Sequence, residues 1–201
     1  MSAPVRFSVP IKKARPRGAR LIEGFSPKLG RRVSCHSRAA FELWLGAEAD
    51  PTIQTFCERP VAIDVDGRER LVDFWVRHVD HEALLLAADE DTVLPNDWHG
   101  IRVRRIGVAD LAASRMWCAN WERMLPVINL TRDCVTKQHL ADVRRYVGEP
   151  MPLARIEREF VTNDAMWVRG AVFRLLAAGR VIAPSLRTDR LWLQTTFEPA
   201  L

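Results

Sequence analysis

Two carboxylates, Glu42 and Asp73, are the side chains of this sequence best placed to do chemistry. Hydrolysis of a phosphodiester needs an activated water and neutralisation of the charge that builds up in the transition state. Paired carboxylates holding Mg²⁺ supply much of both. Glu42 falls within Phe41-Glu42-Leu43-Trp44-Leu45, which reads as a largely apolar helix with Glu42 and Arg38 on a narrow polar face. Asp73 lies between Val72 and Phe74 in a strand, where a charge among apolar neighbours needs a reason. Either residue alone is more simply a carboxylate facing water. Their order, on a helix and then on a strand behind a hairpin, makes them a candidate catalytic and metal-binding pair. Asp89 opens the acidic run Asp89-Glu90-Asp91 and is a candidate shifted third ligand.

The elements around them follow from local signals. Pro4, Pro10, Pro16 and Pro27, with Gly18, Gly24 and Gly30, predict an extended arm over residues 1–30. Ser37 caps a helix from about Arg38 to Ala47, and Asp50-Pro51 ends it. Thr52–Phe56 and Val61–Val65 read as strands. Asp66-Gly67 signals a hairpin with Arg70–Arg77 returning. Ala83–Ala88 and Ile101–Ile106 are further strands. Asp110 caps a helix Leu111–Met124, and Pro126 closes this first domain, 31–126.

Residues 127–201 have a different grammar. Thr136 or Lys137 opens a helix to Tyr146, Pro152 starts another over Leu153–Phe160, and Asn163 or Asp164 caps a third through Ala178. Arg180–Leu186 and Leu191–Phe197 read as strands around the turn 187–190. Three helices followed by a β-hairpin predict a winged helix-turn-helix.

Composition sets the outer limits. The chain has 201 residues, 48% hydrophobic and 27% charged, with a formal net charge of +5. That is an ordinary globular balance. No apolar run reaches membrane-spanning length and no signal-peptide core is present, so a cytoplasmic protein is expected. The four cysteines lie far apart and form no CxxC pair, which points to neither a zinc site nor a disulfide framework. The five histidines show no metal-ligand spacing, and His78 and His81 read as surface residues. Of the seven tryptophans, Trp44 and Trp75 are expected in the core.

Charge is uneven. Residues 1–38 hold ten basic residues and one acid, residues 39–126 are acidic overall, and the remainder is mildly basic. An anionic partner gripped at both ends fits this pattern, as does a merely solvated tail. Lys12, Lys13, Arg15, Arg17, Arg31 and Arg32 are the candidate DNA contacts of the arm. Arg169, Arg187 and Arg190 are those of the winged helix. The third helix offers few base-reading side chains, so protein docking and backbone contact rank ahead of sequence readout.

Ser37, Glu42, Asp50-Pro51, Phe56, Pro60 and Asp73-Phe74 form a series that resembles the TnsA family, the endonuclease subunit of heteromeric transposases. With the C-terminal segment, the resemblance spans most of residues 25–197. It implies an α/β restriction-endonuclease-like (PD-(D/E)xK) domain followed by a winged helix-turn-helix. The implied activity is Mg²⁺-dependent cutting of 5′ strands at transposon ends. The implied partners are a DDE transposase, an AAA+ regulator and DNA, with no membrane.

One element of that pattern is missing. The resemblance calls for Glu or Gln, one spacer and Lys on the next strand, and by spacing these fall near Leu86 and Ala88. No lysine occurs between Lys28 and Lys137. Arg102, Arg104 or Arg105 could replace the charge, but arginine is a poor proton acceptor. The site has migrated, a partner completes it, or the domain is catalytically dead. Failure of two third-strand positions together favours impaired or lost cleavage, with Mg²⁺ only if active. A winged-helix regulator or a protein adaptor without nuclease activity is the alternative.

Overall fold

The computed structural model of the chain describes residues 6–15, 17–65, 67–160 and 164–200. Pro4, Pro16, Asp66 and Asn163 therefore lie outside the described residues. The architecture is mixed α/β, in two compact units: residues up to Glu48 with Thr52–Ala113, and Ala49–Pro51 with Ser114 onward. Among the described residues no helix is long and apolar enough to cross a membrane.

The first unit opens with a segment that follows no regular element, residues 6–15, yet is tied to the sheet. Ile11 donates its amide to the Arg59 carbonyl (2.9 Å), and Phe7 packs edge-on to Trp75 at 5.5 Å. The predicted extended arm ends earlier than expected. β1 (Ile22–Ser26) pairs antiparallel with β2 (Arg31–Cys35). Their turn closes at Gly30, whose φ of 66° suits glycine. The signal for this hairpin is long-range. Gly24 lies under the Trp44 ring, where a Cβ would come within 2.4 Å of a ring carbon.

α1 (Arg38–Ala49) starts at Ser37, whose hydroxyl accepts the Ala40 amide at 3.0 Å, and runs two residues past the predicted end. It carries the buried acid Glu48, which accepts Ser26 Oγ (2.7 Å), the Lys28 amide (2.8 Å) and Trp44 Nε1 (3.3 Å). These bonds fasten the β1–β2 hairpin to the helix.

A five-stranded mixed sheet follows, in the order β3-β6-β7-β9-β8. Its members are β3 (Thr55–Glu58), β6 (Phe74–Arg77), β7 (Glu82–Ala87), β8 (Asp97–Trp98) and β9 (Ile101–Ile106). β7 pairs antiparallel with β6 and parallel with β9. Between β3 and β6 a separate hairpin intervenes, β4 (Ala62–Val65) with β5 (Arg68–Leu71). The predicted returning strand Arg70–Arg77 is thus two strands. Its first half pairs with β4, its second with β3 and β7, and the break falls at Val72-Asp73. The core comprises Cys57, Ile63, Val65, Val72, Trp75, Leu84, Leu86, Ile101 and Val103.

The predicted helix Leu111–Met124 is also two elements, α2 (Val108–Ala113) and α3 (Arg115–Leu130), and α3 belongs to the second unit. Pro126 sits inside α3 instead of closing a domain. The buried stripe of Cys118, Trp121, Met124, Leu125 and Ile128 continues past it. Burying each such side chain stabilises by about 1.5–3 kcal/mol, enough together to outweigh the roughly 3 kcal/mol that an internal proline costs.

The second unit then adds α4 (Lys137–Tyr146), capped by Thr136, α5 (Leu153–Glu159) and α6 (Ala165–Ala177), capped by Asp164. A small sheet orders β10 (Met151–Pro152), β12 (Thr196–Pro199) and β11 (Val181–Ile182). The predicted hairpin 180–197 is not continuous. After β11 the chain enters a 3-10 turn at Pro184–Arg187, and only Thr196–Pro199 returns to the sheet.

Candidate active site and charged cleft

The strand break at Val72-Asp73 determines what Asp73 can touch. Asp73 donates its amide to the Leu85 carbonyl (3.2 Å), and its carbonyl accepts the Arg59 amide (2.9 Å). Its carboxylate Oδ2 accepts the Ala87 amide at 2.8 Å. Asp73 is therefore fixed against residues 85–87 of β7, beside the two positions where the resemblance places an acid and a lysine. Leu86 there is fully buried in the core and Ala88 is nearly so. Burial raises the Asp73 carboxyl above the ordinary carboxylate range, against the pull of the Ala87 amide and the positive charge of Arg70.

A cavity of about 370 Å³ opens at Asp73. Besides Asp73, its titratable lining includes Lys13, His36, Glu58, Arg59, Glu69 and Arg70. These residues come from separate stretches of the sequence. Leu84, Leu86 and Ala88 are buried, and none of the residues from 82 to 88 is a lysine. A lysine does reach the cavity, from the N-terminal segment.

The acids of this cavity are mostly committed. Glu58 is 3% exposed and takes both guanidinium nitrogens of Arg31, at 2.8 and 2.6 Å. Glu69 is exposed and 4.0 Å from Lys13. Glu42 is not on the cavity wall. Largely buried, it forms an i,i+4 ion pair with the exposed Arg38 at 2.8 Å. The structure thus does not bring Glu42 to Asp73's cavity. Asp89 is exposed, in a turn closed by the Thr92 amide (3.1 Å). Among the described residues no three of His, Cys, Asp and Glu are grouped so as to hold a metal. The donors around Asp73 do not fit Mg²⁺. Of the three carboxylates on the wall, Asp73 has one oxygen on an amide, Glu58 is held by Arg31 and Glu69 faces Lys13, and the guanidinium groups of Arg59 and Arg70 share the cavity.

The cations are better placed than the ligands. Arg70 Nη2 donates to the Ala87 carbonyl, while the amide of the same residue serves Asp73. Arg59 adopts φ of 47°, left-handed for a non-glycine residue, which costs about 1–2 kcal/mol. It donates from its guanidinium to Ser34 O and Ser34 Oγ, and its own peptide group holds the N-terminal segment and Asp73. His36 is lowered in pKa by burial and by the charges of Arg59 and Arg15. Cys35, also on the wall, is pushed up to about 12 by burial, so its thiol stays protonated and unreactive.

The other basic candidates divide into exposed and engaged. Lys12, Lys13, Arg15, Arg17 and Arg32 are exposed. Arg31 is engaged with Glu58. Arg169 donates to both oxygens of Glu157 (2.5 and 3.3 Å). Arg187 lies 5.0 Å over the Trp117 ring. Arg190 is exposed beside Trp192. A buried asparagine overlooked in the sequence holds this region. Asn120 donates to Leu186 O and Asp189 O and accepts from the Leu191 amide, each at 2.8 Å. The segment predicted as the turn 187–190 is therefore clamped to α3.

His78 and His81 stack at 4.3 Å at a partly exposed turn, and Trp44 and Trp75 are fully buried, as their sequence context suggests. No protein-family model matches this chain, and no curated protein is significantly similar to it in sequence.

Proposed function

We propose that the chain is a TnsA-like subunit of a DNA transposition machine that binds and assembles on DNA, with 5′-strand cutting impaired or lost. The observation that carries this reading is the setting of Asp73. A carboxylate at the head of a central strand is hydrogen-bonded to the neighbouring strand, beside Leu86 and Ala88, where the acid and the lysine of the pattern would stand. A carboxylate half-buried at that position fits descent from a nuclease site better than a chance surface charge. The order helix, strand, hairpin, Asp-bearing strand and neighbouring strand supports the restriction-endonuclease-like reading of the first unit. Three helices, two of them capped by side chains, with a short three-stranded sheet support a winged-helix reading of the second.

Without Mg²⁺ ligands the first unit would act by contact, through the exposed Lys12, Lys13, Arg15, Arg17 and Arg32 on phosphates. For the second unit, the clamped 186–191 segment and the engaged Arg169 and Arg187 favour protein docking over groove reading. The partners proposed are the DDE transposase and AAA+ regulator that the resemblance implies.

The test is a mobility assay that combines this chain with a DDE transposase and a donor carrying that transposase's ends, with products sequenced. Cointegrates without 5′ nicks at the ends are expected. Clean excision would refute impaired cutting. Failure of the chain to associate with either transposase or DNA would refute the whole reading.

A further inference from the structure

In the cleft at Asp73, a positive charge already occupies the neighbourhood in which a divalent cation would have to sit. Arg70 comes from β5 and crosses to the Ala87 carbonyl of β7, whose amide holds Asp73. One residue of β7 thus carries a guanidinium on its carbonyl side and the carboxylate on its amide side. A guanidinium is charged at every accessible pH and needs no ligand set. Among the described residues, one of its nitrogens is used within the protein. Fixing that one on a strand carbonyl means little side-chain freedom is lost on meeting a ligand.

We propose that Arg70 stands in for the metal: the cleft takes a phosphate group of nucleic acid directly on Arg70, assisted by Lys13, with no divalent cation. Lys13 reaches the same cleft from the N-terminal segment. Its ammonium is half-exposed, and its partner Glu69 is more exposed still at 4.0 Å, a loose pair that a phosphate can displace. Arg59 adds field without a contact, since its guanidinium is committed to Ser34 and the Ile11 carbonyl. The proposal rests on the DNA-binding reading above.

The experiment uses the full chain, MnCl₂ alone, and a duplex oligonucleotide. Calorimetry with MnCl₂ is expected to give no saturable heat. Fluorescence anisotropy with the duplex is expected to give the same Kd in EDTA and in Mg²⁺ at matched ionic strength. Arg70→Ala should weaken binding several-fold at low salt and lower the slope of log K against log salt by about 1. Arg70→Lys should keep that slope. Thermal unfolding checks that each variant is folded. If Arg70→Ala is not, Lys13→Ala, at an exposed position, must show the same loss of slope. Saturable Mn²⁺ heat that disappears in Asp73→Asn, tighter binding with Mg²⁺, or an unchanged slope in folded Arg70→Ala would overturn this inference alone. A wild-type chain indifferent to the duplex would overturn both it and its parent reading.

Discussion

Replacing Asn120 by alanine tests how the 186–191 segment is held. The side chain is 1% exposed and makes three hydrogen bonds of 2.8 Å, all to backbone groups 66 to 71 residues away. A typical buried hydrogen bond contributes about 1 kcal/mol net, so losing three costs about 3 kcal/mol. For a chain of this length that lowers Tm by roughly 6–12 °C. Asn120→Asp should be at least as damaging. It keeps an acceptor for the Leu191 amide but turns an oxygen toward Leu186 O and Asp189 O, replacing two attractions by two repulsions. Differential scanning fluorimetry gives the Tm. Amide exchange gives the local effect, since the Leu191 N–H loses its acceptor in Asn120→Ala and should exchange faster. A Tm within about 2 °C of wild type, with Leu191 exchange unchanged, would refute the clamp.

Three further outcomes follow from single contacts. Arg31→Ala leaves Glu58 buried without its partner and should cost about 3–5 kcal/mol in urea unfolding, whereas Arg31→Met with Glu58→Leu should recover most of it. Gly170→Ala in α6 should destabilise by about 1–3 kcal/mol, because its Cβ would meet Thr131 Oγ1 at 2.0 Å. Thr131→Ser, which removes only a methyl, should not rescue it. The Glu48 carboxyl is raised in pKa by burial, so the folded state binds its proton more tightly than the unfolded state does. Its contribution is fully present below the unfolded value of about 4.3 and is lost as pH rises through the higher folded value. The wild type should therefore lose stability relative to Glu48→Gln as pH rises across that window, and urea midpoints with a pH-independent difference would refute this.

Local chemistry is legible in the order of the residues. Ser37, Thr136 and Asp164 start their helices because a side-chain oxygen needs only an amide two or three residues on. The strand Ile101–Ile106 is readable from its alternation of buried and charged residues. The mixed α/β character follows from those signals. Glu42 and Asp73 each lie on or beside the kind of element expected, but element type does not decide their pairing. Glu42 pairs with Arg38, four residues earlier, and only the β6–β7 register sets Asp73 against Ala87.

What the tertiary structure alone decided are the contacts between residues far apart in sequence. The sequence shows a glycine at 24 and a tryptophan at 44, but not that one lies beneath the other. It shows Pro126 as a stop, and only the buried stripe running past it explains why the helix continues. It shows no lysine near Asp73, and folding brings Lys13 to the cavity that opens there. Caps, turns and periodicity are settled within a few residues by backbone hydrogen bonding. The partner of a buried polar group is settled by which strands and helices pack together, and that is fixed only when the whole core closes.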